Sequence, residues 1–312
     1  MDYIGIIVGL LLLIKGGDWL LDAAVGMSLK LDIPKIVIGM TVVSFATSAP
    51  ELIVSIKSAI KGYPDLSLGN VVGSNIANLA FVLGIVLVIS PIKVAKSFYK
   101  TDWPMMLLAT VLLYFLLKND GELNQFEGGV LLLLLILFLV YLLFFQEKAI
   151  IEDQIEQLEN EMKLGKLVLL LISGGFCLWL GSEVLIKSAV SLAVAMGVSE
   201  RIISITFVSI GTSIPELSAS IIAIINKEKA ISIGNLIGSN IFNILAVMGV
   251  TALISPIRII DQALLNEDFI WMIGVTIIIL PLVFFPNRMS LGRMEGVILL
   301  TLYSIFIAQM FL

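Results

Sequence analysis

The sequence contains no histidine and one cysteine, Cys177. Histidine-ligated zinc or haem and histidine-dependent proton switches are therefore excluded, and neither an internal disulfide nor a cysteine metal cluster can form. Charged residues make up only 14% of the 312 residues, and the net charge of −5 does not indicate a nucleic-acid partner. We expect Cys177 to be an ordinary packing residue, and we expect neither a cofactor nor an obligatory protein partner.

Long apolar runs dominate the chain instead. Hydrophobic residues amount to 59% of it, against about 45–50% in a soluble domain. A bilayer core about 30 Å thick needs roughly 20 apolar residues per helix, and these runs are continuous rather than alternating, which argues against a β-barrel. The sequence predicts an all-α polytopic membrane protein whose first apolar run is a span rather than a cleavable signal peptide.

Turn and charge signals divide the chain into ten predicted spans. One long polar segment, residues 147–166, follows the fifth span, and we expect a solvated linker there. The predicted units are a first membrane repeat (1–146), a linker (147–164) and a second membrane repeat (165–312). The predicted spans are 3–24, 34–61, 66–91, 101–118, 126–146, 165–190, 199–226, 231–255, 266–285 and 291–311.

The distribution of Lys and Arg predicts the orientation, because cytoplasmic loops are enriched in both residues. With the N-terminus outside, the cytoplasmic side carries twice as many basic residues as the other side. We therefore expect a multi-pass protein of the cell membrane with extracellular termini and a cytoplasmic linker. The cytoplasmic set is Lys30, Lys35, Lys93, Lys96, Lys100, Lys148, Lys163, Lys166, Lys227, Lys229, Arg288 and Arg293; the opposite set is Lys57, Lys61, Lys118, Lys187, Arg201 and Arg258.

An internal repeat organises the whole chain. A shift of 165 residues aligns SFATSAPELIVS (44–55) with SIGTSIPELSAS (209–220), and SLGNVVGSNIANL (67–79) with SIGNLIGSNIFNI (232–244), without a gap. Each half holds five spans, and because five is odd, the second half enters the membrane with opposite polarity. The sequence thus predicts two inverted five-helix repeats, an arrangement typical of secondary transporters.

Each repeat places one carboxylate and several hydroxyls on a single face of a membrane helix, because the polar residues recur at helical spacing. Two further spans carry a serine and an asparagine at positions i and i+4, which also share a face. The stripes are Ser44, Thr47, Ser48, Glu51 and Ser55 on the second span, Ser209, Thr212, Ser213, Glu216 and Ser220 on the seventh, Ser74 and Asn78 on the third, and Ser239 and Asn243 on the eighth.

These acids need a compensating charge. A carboxylate near the bilayer centre costs about 2.5–3.5 kcal/mol on insertion scales. The same spans carry no Lys or Arg at comparable depth; Lys57 and Lys187 lie toward span ends. The compensation is therefore a bound cation or a proton, and carboxylate, amide and hydroxyl oxygens are ligands suited to Ca²⁺ and to Na⁺.

Proline and glycine recur beside the polar stripes. Pro50 and Pro215 have no N–H, so the carbonyls of the residues four positions earlier, Ala46 and Gly211, lose their helical partners. Such freed oxygen is tolerated at membrane depth where it lines a cavity or binds an ion. Glycine pairs at small-xxx-small spacing predict close helix approach on spans three and eight; they are Gly69 with Gly73 and Gly234 with Gly238.

Over these residues the chain resembles the Ca²⁺/cation antiporter superfamily, most closely its prokaryotic sodium/calcium exchangers. The matching motifs are GMTVVSFATSAPELIVS with GNVVGSNIANLAFVLG, and ITFVSIGTSIPELSAS with GNLIGSNIFNILAVMG. The resemblance implies ten spans in an inverted repeat that exchange Na⁺ for Ca²⁺, with three Na⁺ per Ca²⁺ as the family expectation. It also implies a ligand set: the carboxylates of Glu51 and Glu216, the hydroxyls of Thr47, Ser48, Thr212, Ser213, Ser74 and Ser239, the amides of Asn78 and Asn243, and the carbonyls of Ser44 and Ser209.

The expected function is accordingly Na⁺/Ca²⁺ antiport by alternating access, with spans one and six sliding on a fixed core, and no enzymatic activity. The resemblance makes K⁺ coupling less expected, because some potassium-dependent relatives carry Asp where this chain has Asn243. A Ca²⁺(cation)/H⁺ antiporter is the main rival hypothesis, since two buried acids can also release protons. A passive cation channel and an intramembrane enzyme are two more hypotheses, although no Ser–Lys, HExxH or paired-Asp protease motif is present.

Overall fold

The computed structural model describes residues 2–144, 162–195, 211–286 and 288–310, and these are helical almost throughout. The first half contains α1 (Asp2–Leu31), α2 (Lys35–Thr47), α3 (Ala49–Ile60), α4 (Pro64–Ile89), β1 (Ile92–Lys93), α5 (Phe98–Asp120), β2 (Glu122–Leu123) and α6 (Gln125–Phe144). The second half contains α7 (Leu164–Ala195), α8 (Ile214–Ile225), α9 (Lys229–Ile254), β3 (Ile257–Arg258), α10 (Leu264–Phe284), β4 (Ser290–Leu291) and α11 (Arg293–Gln309).

The chain is a multi-pass helical membrane protein. Within the described residues, seven helices are long and apolar enough to cross a membrane, or eight if α2 and α3 form one bent span. The other two predicted spans correspond to α8, a 12-residue apolar helix that follows residues outside the described ranges, and to α11, which has 17 residues. The count of ten spans stays a prediction, and most of the predicted linker lies outside the described residues.

Local sequence signals fix several helix ends. α4 begins at Pro64, where a missing N–H has no cost because the first turn leaves it without a helical acceptor. α5 ends at Gly121, whose φ of +77° is a left-handed conformation that glycine adopts readily. At the start of α6, the N–H of Glu127 donates to Asn124 Oδ1 at 3.0 Å and the N–H of Asn124 donates to Glu127 Oε2 at 2.9 Å, a reciprocal capping box.

Helices α4 and α9 form the centre of the molecule. Within their most apolar windows 72% and 78% of the residues are buried, against at most 33% in the other five candidate spans. α4 packs against α3 and α11, and α9 packs against α2, α6 and α8. The equivalent helices of the two halves are therefore the ones that every other layer surrounds.

Helices α1 and α7 lie along each other as a separate pair. A Cβ on Gly16 would lie 2.9 Å from the carbonyl oxygen of Gly174, a Cβ on Gly174 would lie 2.9 Å from that of Gly16, and Gly9 and Gly181 repeat this arrangement. Only glycine permits such an approach of two backbones. The buried apolar side chains of this pair form their own cluster with parts of α2, α8 and α9, apart from the main core.

Four short strands, which the sequence does not predict, connect the two halves. β1 pairs antiparallel with β4, with Ile92 opposite Leu291, and β2 pairs antiparallel with β3, with Leu123 opposite Ile257. β1 and β3 occupy equivalent positions in the repeat, 165 residues apart. Each strand of one half therefore pairs with the opposite half at positions that the repeat interchanges.

Candidate functional site

The helix that carries Glu51 is broken at Ser48, as the proline predicts. α2 and α3 meet at an angle of 45°, and Ser48 at the junction has φ −86° and ψ 4°. Ser213, directly before α8, has nearly the same angles, φ −89° and ψ 3°. Pro50 and Pro215 lie in the first turn of the helix that follows each break, where proline is accommodated.

The predicted polar stripes point into the protein. Ser44, Thr47, Ser48 and Glu51 are at most 3% exposed, as are Ser213, Glu216, Ser74, Asn78, Ser239 and Asn243. Thr212 is partly buried, and Ser209 lies outside the described residues. Eleven of the twelve predicted ligand residues can thus be located, and ten of them are buried inside the bundle.

Hydroxyl pairs join each stripe to the central helix of the other half. Thr47 Oγ1 lies 3.3 Å from Ser239 Oγ, and Thr212 Oγ1 lies 3.0 Å from Ser74 Oγ. A shift of 165 residues converts one pair into the other. Each acid-bearing helix is therefore held against the central helix of the opposite half.

The two carboxylates meet between these hydroxyl pairs. Ser48 Oγ donates to Glu216 Oε1 at 3.4 Å, Thr47 and Ser239 also face the carboxylate of Glu216, and Glu51 interacts electrostatically with Glu216. Both carboxylate oxygens of Glu51 and Oε2 of Glu216 are buried without a hydrogen-bond partner. Within the described part of the chain, neither acid has an ion-pair partner. Two uncompensated acids in a low-dielectric interior require a cation or protons.

The two predicted asparagines lie in wide turns of the central helices. α4 is π-helical over Ala77–Val82 and α9 over Asn243–Met248; such turns often occur at functional sites. Asn243 Nδ2 donates to Asn75 Oδ1 at 3.2 Å, while Asn243 Oδ1 and both amide atoms of Asn78 are buried without a partner. α3, which carries Glu51, packs against the π-turn of α9, and α8 against that of α4.

The donors of this site are oxygen atoms. The described residues contain no cluster of three or more Asp, Glu, His or Cys side chains, so the site combines only two acids with hydroxyls and amides. Hard cations prefer such oxygen ligands. A site with few fixed charges can also release its ion, which suits a transported cation.

Three further asparagines belong to the site and were missed in the sequence. Asn235 Oδ1 accepts from Thr47 Oγ1 at 3.1 Å, and its Nδ2 donates to Ser220 Oγ at 3.2 Å. Asn70, the equivalent residue of the first half, donates to Ser55 Oγ at 3.1 Å, and Asn75 orients the amide of Asn243. Their presence at equivalent positions inside apolar spans is the signal that could have identified them.

The predicted close approach at the glycine pairs is confirmed for α9. A Cβ on Gly238 would lie 2.5 Å from Met40 Cα and would also overlap Ser44 Oγ, and a Cβ on Gly234 would overlap the carbonyl of Ile36. For Gly69 and Gly73 the repeat-equivalent neighbours, residues 201–209, lie outside the described ranges. The close approach at that pair stays a prediction.

A cavity of about 600 Å³ lies between α3, α4 and α7 and extends to Ser74 and Thr212. Glu183, Lys187 and Lys57 also line it, whereas neither buried glutamate does. The hydroxyl pair of Ser74 and Thr212 therefore forms the boundary between this cavity and the carboxylates.

Comparison with known proteins extends these observations to the whole chain. Residues 1–144 and 166–312 match the family described as "Sodium/calcium exchanger protein". The chain is 36% identical to "Putative antiporter CaxA" of Alkalimonas amylolytica over 95% of this chain and 94% of that protein. It is 28% identical to "Sodium/calcium exchanger MaX1" of Methanosarcina acetivorans, over 100% and 99% of the two chains.

The fold is also that of solved exchangers. The structure of the sodium-calcium exchanger NCX_Mj soaked with 2.5 mM Na⁺ and 0.1 mM Ca²⁺ superimposes with a TM-score of 0.81 and 28% identity, covering 98% of this chain and 97% of that one. The structure soaked with zero Na⁺ and Ca²⁺ gives a TM-score of 0.83, with 98% of each chain covered. The relatives named as antiporters or exchangers are transporters, which agrees with the expectation that the chain is not an enzyme. The chain belongs to the sodium/calcium exchanger family of the Ca²⁺/cation antiporter superfamily, and it is a cation exchanger of the membrane.

Proposed function

We propose that the chain exchanges Na⁺ for Ca²⁺ across the cell membrane through one shared site. The observation that carries this proposal is the meeting of two buried carboxylates, Glu51 and Glu216, one from each half, whose remaining oxygens have no hydrogen-bond partner. The full proposed ligand set adds Thr47, Ser48, Thr212, Ser213, Ser74, Ser239, Asn78 and Asn243, and the main-chain carbonyls of Ser44 and Ser209.

The charge of the site explains why exchange would be obligatory. Two carboxylates neutralise one Ca²⁺, and the surrounding hydroxyl and amide oxygens replace part of its hydration shell. The same oxygens can instead hold Na⁺ ions. Because both species need the same two acids, each must leave before the other binds, and an empty pair of adjacent buried acids is costly to carry across the membrane.

Internal symmetry supports two inverted repeats, 1–146 and 165–312, as the architecture of transport. The hydroxyl pairs Thr47–Ser239 and Thr212–Ser74 interchange under the repeat, and so do the strand pairs β1–β4 and β2–β3. Equivalent groups thus face each other across a central site. Alternating access in such folds is a rocking or sliding of one bundle against another around a fixed site.

The pair α1–α7 is the proposed moving layer. It packs on the rest through its own apolar cluster, separate from the main core, and glycines keep its two helices together. α7 also lines the cavity that extends to Ser74 and Thr212. Sliding of this pair would open or close that cavity while α4 and α9 hold the ligands in place. The cavity is the proposed ion path on one side of the membrane, and the Lys and Arg distribution supports extracellular termini.

The named relatives agree with this choice of ions. MaX1 and NCX_Mj are both described as sodium/calcium exchangers, and the chain covers nearly their full length. Asn243 supplies an uncharged ligand whose Nδ2 is already used by Asn75. We therefore propose that K⁺ is not required, because the site holds only two acids.

Calcium-45 uptake into proteoliposomes tests the proposal when the Na⁺, K⁺ and H⁺ gradients are varied one at a time. We expect uptake to follow an outward Na⁺ gradient, to persist with the pH gradient collapsed and to be indifferent to K⁺. Uptake driven only by a proton gradient would identify a Ca²⁺/H⁺ antiporter instead. Flux that needs no counter-ion on the opposite side would identify a channel.

A further inference from the structure

A second polar cavity lies behind the central helix α4, outside the site described above. It has a volume of about 210 Å³ and is lined by residues of α4, α10 and α11, including Gly73, Asp268 and Tyr303. The hydrogen bond from Trp271 Nε1 to Gln309 Oε1, at 2.8 Å, joins α10 to α11 near this cavity. The volume corresponds to about seven water molecules at roughly 30 Å³ each.

Tyr303 brings an unused hydroxyl to this cavity. Its side chain is 6% exposed, and its phenolic oxygen is buried without a hydrogen-bond partner. The ring is held by Phe81, at a centroid distance of 5.2 Å, and by Phe306, at 6.3 Å. An orphaned polar atom costs about 1–3 kcal/mol, so a ligand that bonds to it would be stabilised.

Asp268 brings a negative charge that no cation of the protein balances. It is partly buried, and in the described part of the chain no Lys or Arg forms an ion pair with it. The neighbouring carboxylates of Glu267 and Asp261 act on it electrostatically and make the region still more negative. The C-terminal end of α11, which reaches the cavity at Met310, adds the negative end of a helix dipole.

The cavity also adjoins the ion path. Gly69 and Gly73 line both this cavity and the larger one that extends to Ser74 and Thr212. The two spaces therefore meet along one stripe of α4 that has no side chains. Ser74, the next residue after Gly73, is a proposed ligand of the transported ions.

We propose that the cavity between Asp268 and Tyr303 binds one partly hydrated monovalent cation, Na⁺ under transport conditions, and supplies it to the central site. One carboxylate balances one positive charge, the phenol gives a neutral oxygen ligand, and water fills the remaining positions. A divalent ion would need more carboxylates inside the cavity than the single one it has. The role in transport depends on the proposed Na⁺/Ca²⁺ exchange, whereas binding in this cavity does not.

Crystals of the full-length protein soaked in Tl⁺ test the binding directly, because Tl⁺ gives anomalous density at its position. The soak is done in the Glu51→Gln, Glu216→Gln double variant, so that the central site does not compete. We expect a Tl⁺ peak between the Asp268 carboxylate and the Tyr303 hydroxyl. The peak should disappear in Asp268→Asn, and its occupancy should fall about threefold in Tyr303→Phe, which keeps the ring packing.

Transport supplies the second readout, in the otherwise unaltered chain. Asp268→Asn should raise the half-saturating Na⁺ concentration about threefold and leave that for Ca²⁺ unchanged. Glu267→Gln is the matched control, since it removes an equal charge from the same helical turn but lies outside the cavity; we expect no change in either value. Equal effects of the two variants would mean that Asp268 acts only through general charge or helix stability, and would overturn the proposal.

The outcomes separate this inference from the proposed function. A Tl⁺ peak in the cavity of a protein that shows no Na⁺-driven Ca²⁺ uptake would leave the cavity site standing and refute Na⁺/Ca²⁺ exchange. Density absent from the cavity, or unchanged in both Asp268→Asn and Tyr303→Phe, would overturn the cavity site whatever the transport result. If Asp268→Asn does not fold, Tyr303→Phe alone decides.

Discussion

The hydroxyl of Ser48 donates to the carboxylate of Glu216 at 3.4 Å, so the break in one half of the chain contacts the acid of the other. Ser48 is the residue at which α2 ends and α3 begins, three positions before Glu51. A long hydrogen bond of this kind is easily exchanged for a cation ligand. An ion that enters between the two acids therefore contacts both halves at once, and its arrival changes the angle-determining residue of a broken helix.

Replacement of either acid should abolish transport without unfolding the protein. Glu51→Gln or Glu216→Gln keeps the side-chain shape and removes one of the two charges that balance Ca²⁺. We expect calcium-45 uptake to fall at least about 100-fold in either variant, because second charges at buried metal sites are worth several kcal/mol. Thermal melting in detergent provides a second measurement: Ca²⁺ at 100 times its Kd should stabilise the parent by about 2.7 kcal/mol and the variants hardly at all.

Glu183→Gln is the control for this pair. Glu183 lines the cavity but is exposed, so its loss removes a charge from the entrance without touching the proposed ligands. We expect transport to stay within about threefold of the parent, in keeping with the small effects of exposed charges. Near-normal uptake in either of the buried-acid variants would contradict the assignment of the site.

The polar positions could be predicted because membrane burial makes them conspicuous. Glu51 and Glu216 stand out in apolar spans, and the repeat marks both as deliberate. The family resemblance was confirmed by the comparisons, and the break at the proline was found where Pro50 predicts it. The burial of ten predicted ligand residues follows from the same reasoning, since a polar stripe on a membrane helix must avoid lipid.

Other parts could not be read from the sequence. The π-turns that carry Asn78 and Asn243 depend on a choice between i→i+4 and i→i+5 hydrogen bonds, which side-chain patterns do not encode. The strand pairs such as β1–β4 have two residues each and follow from how helix ends meet, not from β propensity. Asn235 and Asn70 were overlooked because their partners, Thr47 and Ser220 among them, lie on other helices.

Asn235 should matter for ion affinity although it is not a proposed ligand. It accepts a hydrogen bond from Thr47 and donates one to Ser220, so it fixes the direction of a ligand hydroxyl. Loss of such a supporting partner typically costs 10–100-fold in metal affinity. We expect Asn235→Ala to raise the half-saturating Ca²⁺ concentration about tenfold. Asn226→Ala serves as the control, since Asn226 bonds only to the carbonyl of Ile222 in its own helix; an equal effect there would mean a general loss of packing.

The contact of α9 with α2 should not tolerate a single added methyl group. A Cβ on Gly238 would lie 2.5 Å from Met40 Cα, so Gly238→Ala forces two backbones apart. Overpacking of this kind costs about 1–3 kcal/mol, and we expect a lower melting temperature. In Gly274→Ala the new Cβ meets no described atom within 4 Å, so this variant should gain up to about 1 kcal/mol of helix propensity. A Gly238→Ala protein that melts at the parent temperature would show that the contact is looser than the structure indicates.

The hydrogen bond from Ser182 to the carbonyl of Gly211 should hold the moving layer in its present position. Ser182 Oγ on α7 lies 3.0 Å from this oxygen, which Pro215 leaves without a helical donor. Its equivalent in the first half is Gly17, which has no side chain to make the bond, so the connection is present on one side only. A hydrogen bond contributes about 1 kcal/mol net, and we expect Ser182→Ala to change the balance between the two access states, and hence the exchange rate, roughly fivefold. Ser173→Ala is the matched control on the same helix, because Ser173 Oγ bonds only to the carbonyls of Leu169 and Leu170. An unchanged exchange rate in Ser182→Ala, or the same change in both variants, would mean that the bond has no part in the motion of α7.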